Sequence, residues 1–312
     1  ALAQILSRAT RMPVTEVQDE PVVEPNHVYV IPPNRCMGIA GGILQLAPRE
    51  KAGHTRVVDH FFRALAEERR HQAIGIVLSG NASDGTLGLE AIKAEGGITF
   101  AQDDSAQFDG MPHSAVASGC VDLVMSPEQI AQEVARIARH PYAVPDSSTR
   151  EHDGSPKLDH VLQLLHLVTG VDFSQYKFNT VYRRVTRRML LQKQNDLNAY
   201  ASFLQQNPDE IAALYRDILI NVTSFFRNPD AFEALKEQVF PRLLENRARH
   251  EPVRIWTLGC STGQEAYSVA MAFTEFAEAQ GSTVPLQIFA TDLSEACIDT
   301  ARLGIYSKDS AQ

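Results

Sequence analysis

The sequence has no long hydrophobic run and no recognisable leader. No apolar stretch approaches the roughly 20 residues that a membrane-spanning helix needs. Residues 1–12 also lack the lysine-headed apolar stretch and the small-residue cleavage site of a signal peptide. We therefore expect a cytoplasmic protein that does not insert into a membrane.

Paired cysteines and an excess of positive charge are also missing. The cysteines are widely scattered, with no C-x-x-C pair and no histidine at metal-ligand spacing, which predicts free buried thiols and no metal site. They are Cys36, Cys120, Cys260 and Cys297. The net charge is −9, with 38 acidic and 29 basic residues. A broad basic footprint for nucleic acid is therefore absent, and we expect no nucleic-acid partner.

The length of the chain exceeds what one hydrophobic core usually organises. With 312 residues, 44% of them hydrophobic and 21% charged, the chain has the composition of a folded protein and a length that favours two or three domains.

Residues 1–142 alternate short β-branched runs with amphipathic stretches, a pattern that predicts an α/β layer fold. The predicted strands are 28–31, 74–78, 98–101 and 121–124. The predicted helices are 56–69, 85–94 and 127–139, the last opened by Ser126 as N-cap and Pro127 at its first position. The segment 74–101 reads as a β-loop-α-β unit in a partial doubly wound sheet.

Composition and periodicity change twice in the second half of the chain. Residues 143–157 are rich in Pro, Ser, Asp and Gly, which predicts a linker. Residues 158–247 keep the 3.6-residue apolar spacing of an all-helical subdomain. Residues 248–312 then give strands 253–258 and 286–290 and helices 265–277 and 295–302, which is the pattern of the first two βα units of a Rossmann-like domain.

The segment 254–268, RIWTLGCSTGQEAYS, is a hydrophobic strand, a small-residue turn and a helix. Gly259 and Gly263 allow the backbone to bend and to approach a ligand, and the helix offers free N–H groups and a positive dipole end. Asp292 follows the next strand, where a carboxylate can accept both hydroxyls of a ribose. An ordinary strand–helix turn with a surface acid remains an alternative.

A second polar cluster, NVTSFFR, lies at 221–227, just before Asn228 and Pro229 begin a helix. A capping turn with two packed Phe rings would explain it structurally, whereas a ligand-binding loop would explain it functionally.

The strings GCSTGQEAYS, NVTSFFR and FATDLS, in their order and spacing, resemble the chemotaxis receptor methyltransferase family, CheR, over residues 158–312. The resemblance implies a small helical domain followed by a Rossmann-like domain. It also implies transfer of a methyl group from S-adenosylmethionine to glutamate side chains of receptors.

The same resemblance implies roles for individual residues. Asn221, Thr223 and Arg227 would line the methionine end of the cofactor, with Arg227 a partner for its carboxylate or for that of the substrate. Glu265 would accept from the cofactor's amino group, and Asp292 would hold the ribose. The chain has Gln-Glu-Ala at 264–266 where the family often has Glu-Glu-Pro. The family's later strands are not in this sequence, so we expect residues 1–312 to bind cofactor poorly.

A basic segment lies between Tyr176 and Lys193, where four arginines at i, i+3 and i+4 spacing share one helix face. They are Arg183, Arg184, Arg187 and Arg188. The pattern fits a solvated charged face. The family resemblance implies instead docking on acidic receptor helices or on the cofactor cleft.

In LSGNASDGTLGL, residues 78–89, a buried strand enters a Gly-rich turn and a helix, so Asp84 is expected at the carboxyl end of the strand. An acid in the first turn of a helix is the structural alternative. Together with VYVIPPN, FAQD and DGMP, the segment resembles the catalytic domain of the chemotaxis methylesterase family, CheB, over residues 1 to about 140. The resemblance implies a Ser-His-Asp triad that hydrolyses glutamyl methyl esters, with Asp84 as the Asp.

Other parts of that triad do not match. Asn81 and Ala82 replace the family's Met and Gly in the turn, and the family's nucleophile turn and histidine loop are not found in the sequence. The nearby serines and histidines lie in other contexts: Ser7, Ser79, Ser83, His54 and His60. We therefore expect no esterase activity from residues 1–312 alone.

The sequence thus predicts part of a bifunctional methylesterase–methyltransferase. A regulatory or scaffold module that binds receptors or sensor kinase domains without catalysis remains an alternative. A methyltransferase acting on nucleic acid is disfavoured by the acidic composition.

Overall fold

The computed structural model describes residues 2–49, 56–140, 156–219, 223–245, 247–248 and 250–306. The chain forms two compact units, divided between Ile218 and Leu219. Each unit is described by itself below. In the described ranges, no helix is long and apolar enough to cross a bilayer.

The first unit is a mixed α/β layer followed by a helical bundle. Its strands are β1 (Val14–Glu16), β2 (Val28–Val30), β3 (Arg35–Ala40), β4 (Ile43–Pro48), β5 (Ile74–Val77), β6 (Ile98–Gln102) and β7 (Leu123–Met125). Its helices are α1 (Leu2–Ala9), α2 (Val57–Arg69), α3 (Thr86–Ala94), α4 (Gly110–Ala117), α5 (Pro127–Ala138), α6 (Pro156–Thr169), α7 (Phe178–Leu191), α8 (Leu197–Gln206) and α9 (Pro208–Ile218). A 3₁₀ turn, Arg70–Gln72, follows α2.

The central sheet of this unit is parallel, in the order β5-β6-β7, with Ile74 opposite Ile98 and Phe100 opposite Leu123. Its central strand is buried on both faces, as expected of a parallel sheet covered by helices. The carboxyl ends of the three strands share one edge, which places the Asp84 turn after β5 at that edge.

A β-hairpin, β3–β4, was not predicted. The two strands pair antiparallel from Arg35 opposite Pro48 to Ala40 opposite Ile43. Gly41 and Gly42 join them with φ of 59° and 77°. Two successive positive φ values define the tight hairpin turn for which Gly-Gly is a favoured sequence, so the signal was present in the sequence.

The helix starts follow the chemistry of their first residues. Ser126 caps α5 in a capping box: its hydroxyl accepts from the Gln129 N–H at 3.4 Å, and the Gln129 side chain accepts from the Ser126 N–H at 3.2 Å. Helix α6 begins at Pro156, and most of the predicted linker, 143–157, lies outside the described residues. The bundle formed by α6–α9 buries the periodic apolar residues that predicted it, among them Val181, Val185 and Leu214.

The second unit is helical at first and then α/β. It contains α10 (Pro229–Ala234), a π-helical turn (Leu235–Val239), α11 (Phe240–Leu244), β8 (Val253–Leu258), α12 (Gln264–Ala279), β9 (Leu286–Thr291) and α13 (Glu295–Leu303). Strands β8 and β9 are parallel, with Val253 opposite Leu286 and Leu258 opposite Thr291. The core joins Phe232 and Phe240 to Val253 and Phe273.

Candidate active sites

The turn between β8 and α12 has a backbone that only glycine adopts readily. Gly263 has φ 98° and ψ −10° at the N-cap of α12, and Gly259 has φ 65°. A Cβ added at Gly263 would lie 2.8 Å from the Tyr306 hydroxyl and 2.9 Å from the Ala301 Cβ. A larger residue at Gly263 would therefore displace α13 or Tyr306 as well as strain the backbone.

Asp292 ties this turn to the end of β9. Its Oδ2 accepts from the Ser261 N–H at 2.8 Å, and its Oδ1 accepts from the Ser294 N–H at 2.8 Å. Each carboxylate oxygen has a second lone pair. Ribose hydroxyls could therefore donate to the second lone pair of each Asp292 oxygen, since the backbone N–H groups occupy only the first.

The loop 223–228 packs against the start of α12. The Phe226 N–H donates to the Ser268 hydroxyl at 2.9 Å, and that hydroxyl donates to the Gln264 carbonyl at 2.8 Å. The Phe225 ring stacks edge-on against Tyr306, with centroids 5.0 Å apart. Three segments far apart in sequence, the loop, the glycine turn and the exit of β9, thus converge at the N-terminus of α12.

The predicted contact residues differ in exposure. Thr223 and Asp292 are half-buried, whereas Arg227 and Glu265 are exposed. Asn221 lies outside the described residues. Exposed and half-buried side chains around a helix N-terminus remain reachable by a ligand, so the placement is compatible with the predicted roles without testing them.

Two residues of this site were missed by the sequence analysis. The Ser261 hydroxyl is buried and has no hydrogen-bond partner among the described residues. The Tyr306 hydroxyl donates to the Thr262 carbonyl at 2.6 Å, which holds the glycine turn from the far side of α13. Ser261 lies within the GCSTG string and could have been singled out there, whereas Tyr306 follows the last motif and gave no signal.

A buried hydroxyl without a partner costs free energy unless a ligand or water satisfies it. Together with the free N–H groups in the first turn of α12, Ser261 gives the site hydrogen-bonding capacity that the described residues leave unused. Burial, and then the charge of Asp292, raises the pKa of the neighbouring Cys260 thiol, so that thiol stays protonated and unreactive.

At the edge of the first unit's sheet, Asp84 binds the start of a neighbouring helix. Its two oxygens accept from the backbone N–H groups of Val58, at 3.1 Å, and Asp59, at 3.0 Å, in the first turn of α2. The structural alternative placed Asp84 at the start of its own helix, α3. The structure shows that the carboxylate caps α2 instead.

Asp59 returns the contact. Its Oδ1 accepts from the Gly85 N–H at 2.9 Å and the Gly88 N–H at 2.7 Å, so it caps α3. Asp59 is 2% exposed. Burial raises the pKa of its carboxyl, the Gly88 N–H opposes that rise, and the nearby Asp84 adds to it. Each carboxylate therefore caps the other residue's neighbouring helix: Asp84 caps α2, and Asp59 of α2 caps α3. These contacts hold Asp84 in place at the strand end.

Family models match three consecutive parts of the chain: CheB methylesterase over residues 1–134, the all-alpha domain of CheR methyltransferase over 156–219, and the SAM binding domain of CheR methyltransferase over 221–312. The chain joins a CheB methylesterase domain to the domains of a CheR methyltransferase.

Curated relatives match the whole chain or one half of it. An uncharacterized 104.1 kDa protein from the hypE 3′ region of Rhodobacter capsulatus is 38% identical over 98% of this chain and 35% of its own length. Chemotaxis protein methyltransferase 2 of Pseudomonas aeruginosa is 33% identical, over 47% of this chain and 50% of its own length. A protein-glutamate methylesterase/protein-glutamine glutaminase 1 of Myxococcus xanthus is 34% identical, over 45% and 42%.

The chain thus spans between about a third and a half of the length of these relatives. The crystal structure of the Thermotoga maritima CheB methylesterase catalytic domain is 27% identical and covers 43% of this chain and 74% of its own. The TM-score between the two structures is 0.40.

The prediction of an exposed arginine face on the CheR helical domain is wrong for three of the four arginines. Arg184 and Arg187 are 6% and 2% exposed, and Arg188 binds Glu210 of α9 through Nε at 2.9 Å. Of the four, Arg183 is half-buried and is the one for which a contact with an outside protein stays a prediction. The other three are buried or paired because the first unit supplies their acceptors.

Proposed function

We propose that this protein takes part in reversible methylation of glutamate side chains on chemoreceptor-like signalling proteins in the cytoplasm. The CheR domains would carry out S-adenosylmethionine-dependent methylation, and the CheB domain would belong to the demethylating activity of the same polypeptide. The observation that carries the proposal is the convergence of the 223–228 loop, the glycine turn and Asp292 at the N-terminus of α12.

Five residues at this point would hold the cofactor: Thr223, Arg227, Ser261, Glu265 and Asp292. Bound there, S-adenosylmethionine supplies a methyl group on a positively charged sulfur. The residues of the chain have to orient the two reactants and exclude water. No strong general base is required, because a glutamate substrate is already ionised near pH 7.

In the CheB domain, Asp84 would orient a histidine, as the acid of a Ser-His-Asp triad does. Each of its oxygens accepts one backbone N–H and keeps a lone pair for an imidazole N–H. The reciprocal contact with Asp59 would keep this carboxylate fixed while it does so.

The test is calorimetric titration of S-adenosylhomocysteine into the full-length protein. We expect binding that is lost in Asp292→Ala and retained in Asp299→Ala, because Asp299 is an exposed acid on α13 paired with Arg302. Asp292→Asn keeps one acceptor oxygen and should bind with intermediate affinity. Absence of binding, or binding that is insensitive to Asp292→Ala, contradicts the methyltransferase function.

A noncatalytic regulatory or scaffold module, docking receptors or sensor kinase domains, is the second candidate. The observation that favours it is that all four oxygens of Asp84 and Asp292 accept backbone N–H groups, as in acids with a structural role only. The titration separates the two functions, because a scaffold has no reason to bind S-adenosylhomocysteine.

A further inference from the structure

Helix α7 of the CheR helical domain lies on the CheB domain. Leu190 and Leu191, at its end, join the apolar cluster formed by Ile98, Phe100 and Ile130. The two leucines thereby bury apolar surface against the core of the CheB domain.

Arg187 lies at the centre of the contact and is almost completely buried. Its Nε donates to the Gly97 carbonyl at 2.9 Å, and its Nη2 pairs with Asp122 Oδ2 at 2.5 Å. Its Nη1 pairs with Asp217 of α9. A buried guanidinium is tolerated only when acceptors surround it, and here the CheB domain and the helical domain both provide them.

Asp122 is matched to this arginine. Burial opposes ionisation of its carboxyl, but Arg187 and then Lys93 outweigh the burial and lower its pKa below the ordinary value. Lys93 Nζ lies 3.4 Å from Asp122 Oδ1, and the Thr99 N–H donates to Oδ2 at 3.0 Å. The negative charge that Arg187 meets is therefore fixed in place by the CheB domain itself.

The two domains also cap each other's helices. Arg184 Nη1 donates to the Lys93 carbonyl at 2.9 Å, and its Nη2 donates to the Ala94 carbonyl, at the end of α3. In return, Arg136 of α5 donates to the Leu190 carbonyl at 2.7 Å, at the end of α7. Carbonyls in the last turn of a helix lack partners within it. The Lys93 and Leu190 carbonyls accept the N–H groups of Gly96 and Lys193 in the turns that follow, so the arginines add a charged donor at each helix end, where the helix dipole favours a cation.

The contact lies at the amino-end edge of the sheet. Gly97 immediately precedes β6 and Asp122 immediately precedes β7, whereas Asp84 follows β5 at the opposite edge. Docking of α7 therefore takes place away from the Asp84 edge.

We propose that α7 is an internal docking helix, and that the amino-end edge of the CheB sheet is its binding site. Arg184 and Arg187 are its recognition residues. The interface holds the CheB and CheR helical domains together without help from the covalent connection between them, and it withdraws both arginines from acidic partners outside the chain.

The test inserts a protease site within residues 143–155 of the full chain, cuts it, and follows the two halves by gel filtration at micromolar concentration. We expect the halves of the parent protein to elute together. Arg187→Met, which removes the cation shared by Asp122 and Asp217, should weaken their association by more than about 100-fold. Arg183→Met on the same helix is the matched control and should leave the association unchanged within about threefold.

Hydrogen exchange of α8 shows whether Arg187→Met keeps the helical domain folded. If α8 loses its protection, Arg184→Met decides instead, because it removes contacts to two helix-end carbonyls without leaving a buried charge, and we expect about tenfold weakening. Separation of the parent halves overturns the proposal. The proposal is also overturned if Arg187→Met is folded and its halves associate as tightly as those of the parent. Where Arg187→Met is not folded, the same result for Arg184→Met overturns it.

Discussion

Two strand–turn–helix junctions of this protein have almost the same backbone and different chemistry around it. Gly85, at the N-cap of α3, has φ 99° and ψ −16°, and Gly263, at the N-cap of α12, has φ 98° and ψ −10°. Both glycines follow a parallel strand and open a helix. Their surroundings differ: Val58 and Val77 face Gly85, whereas the Tyr306 hydroxyl and Ala301 face Gly263.

The acids at the two junctions also come from different places. Asp84 lies next to its glycine but binds the N-terminus of α2, and Asp59 of α2 binds back. Asp292 comes from the following strand and binds the glycine turn itself, at Ser261. In the CheB domain the carboxylate therefore fastens two helices together, whereas in the CheR domain it shapes the turn that we propose faces the cofactor.

Alanine at either glycine tests how much the surroundings matter beyond the shared backbone. Gly263→Ala should have the larger effect, lowering the free energy of unfolding by about 2–5 kcal/mol through positive φ and overpacking together. Gly85→Ala should cost about 1–3 kcal/mol. The added Cβ would lie 3.0 and 3.1 Å from two valine methyl groups, and these side chains can shift. Hydrogen exchange of peptides covering each junction measures both. Equal losses would show that the backbone alone determines the cost.

Asparagine at the two acids tests where each carboxylate acts. Asp84→Asn and Asp292→Asn each turn an amide NH₂ toward one backbone N–H, which should cost about 1–3 kcal/mol. Asp84→Asn should speed exchange at the start of α2, and Asp292→Asn should speed exchange in the 259–263 turn. If Asp84→Asn speeds hydrogen exchange in α3 rather than in α2, the assignment of Asp84 as the cap of α2 is wrong.

Tyr306→Phe removes the hydrogen bond to the Thr262 carbonyl and should cost about 0.5–1.5 kcal/mol. It also removes the atom nearest to a Cβ at Gly263. The double variant Gly263→Ala/Tyr306→Phe should therefore lose less stability than the two single variants summed. Additive losses would show that Ala301, rather than Tyr306, sets the strain.

The smallest effect concerns pH. Because the pKa of Asp59 is raised in the fold, its contribution to stability is greatest in acid, below the ordinary carboxyl pKa, and is lost as the pH rises through the raised value. Asp59→Asn keeps the Oδ1 that accepts both glycine N–H groups. In this variant the stability of α2 and α3, measured by hydrogen exchange, should therefore depend less on pH. An unchanged pH profile would assign the dependence to another group.

Local patterns predicted most of the secondary structure. The strands at 74–78, 98–101 and 253–258 and the helix at 127–139 lie within two residues of the predicted bounds at each end, since apolar periodicity and caps depend on neighbours in one segment. The glycine turn and Asp292 were predicted in the same way. The roles of Ser261 and Tyr306 were not, because a buried hydroxyl is recognised only once its surroundings are known.

The arginines of α7 show most clearly what local sequence patterns do not predict. Their spacing on one helix face is the same whether the face meets water or protein, so the sequence by itself determined the helix, the family and the two glycine turns. The tertiary structure decided which groups the charges meet. Arg187 pairs with groups 90, 65 and 30 residues away in the chain, and only the packing of sheet against helix brings these acceptors to one place with water excluded.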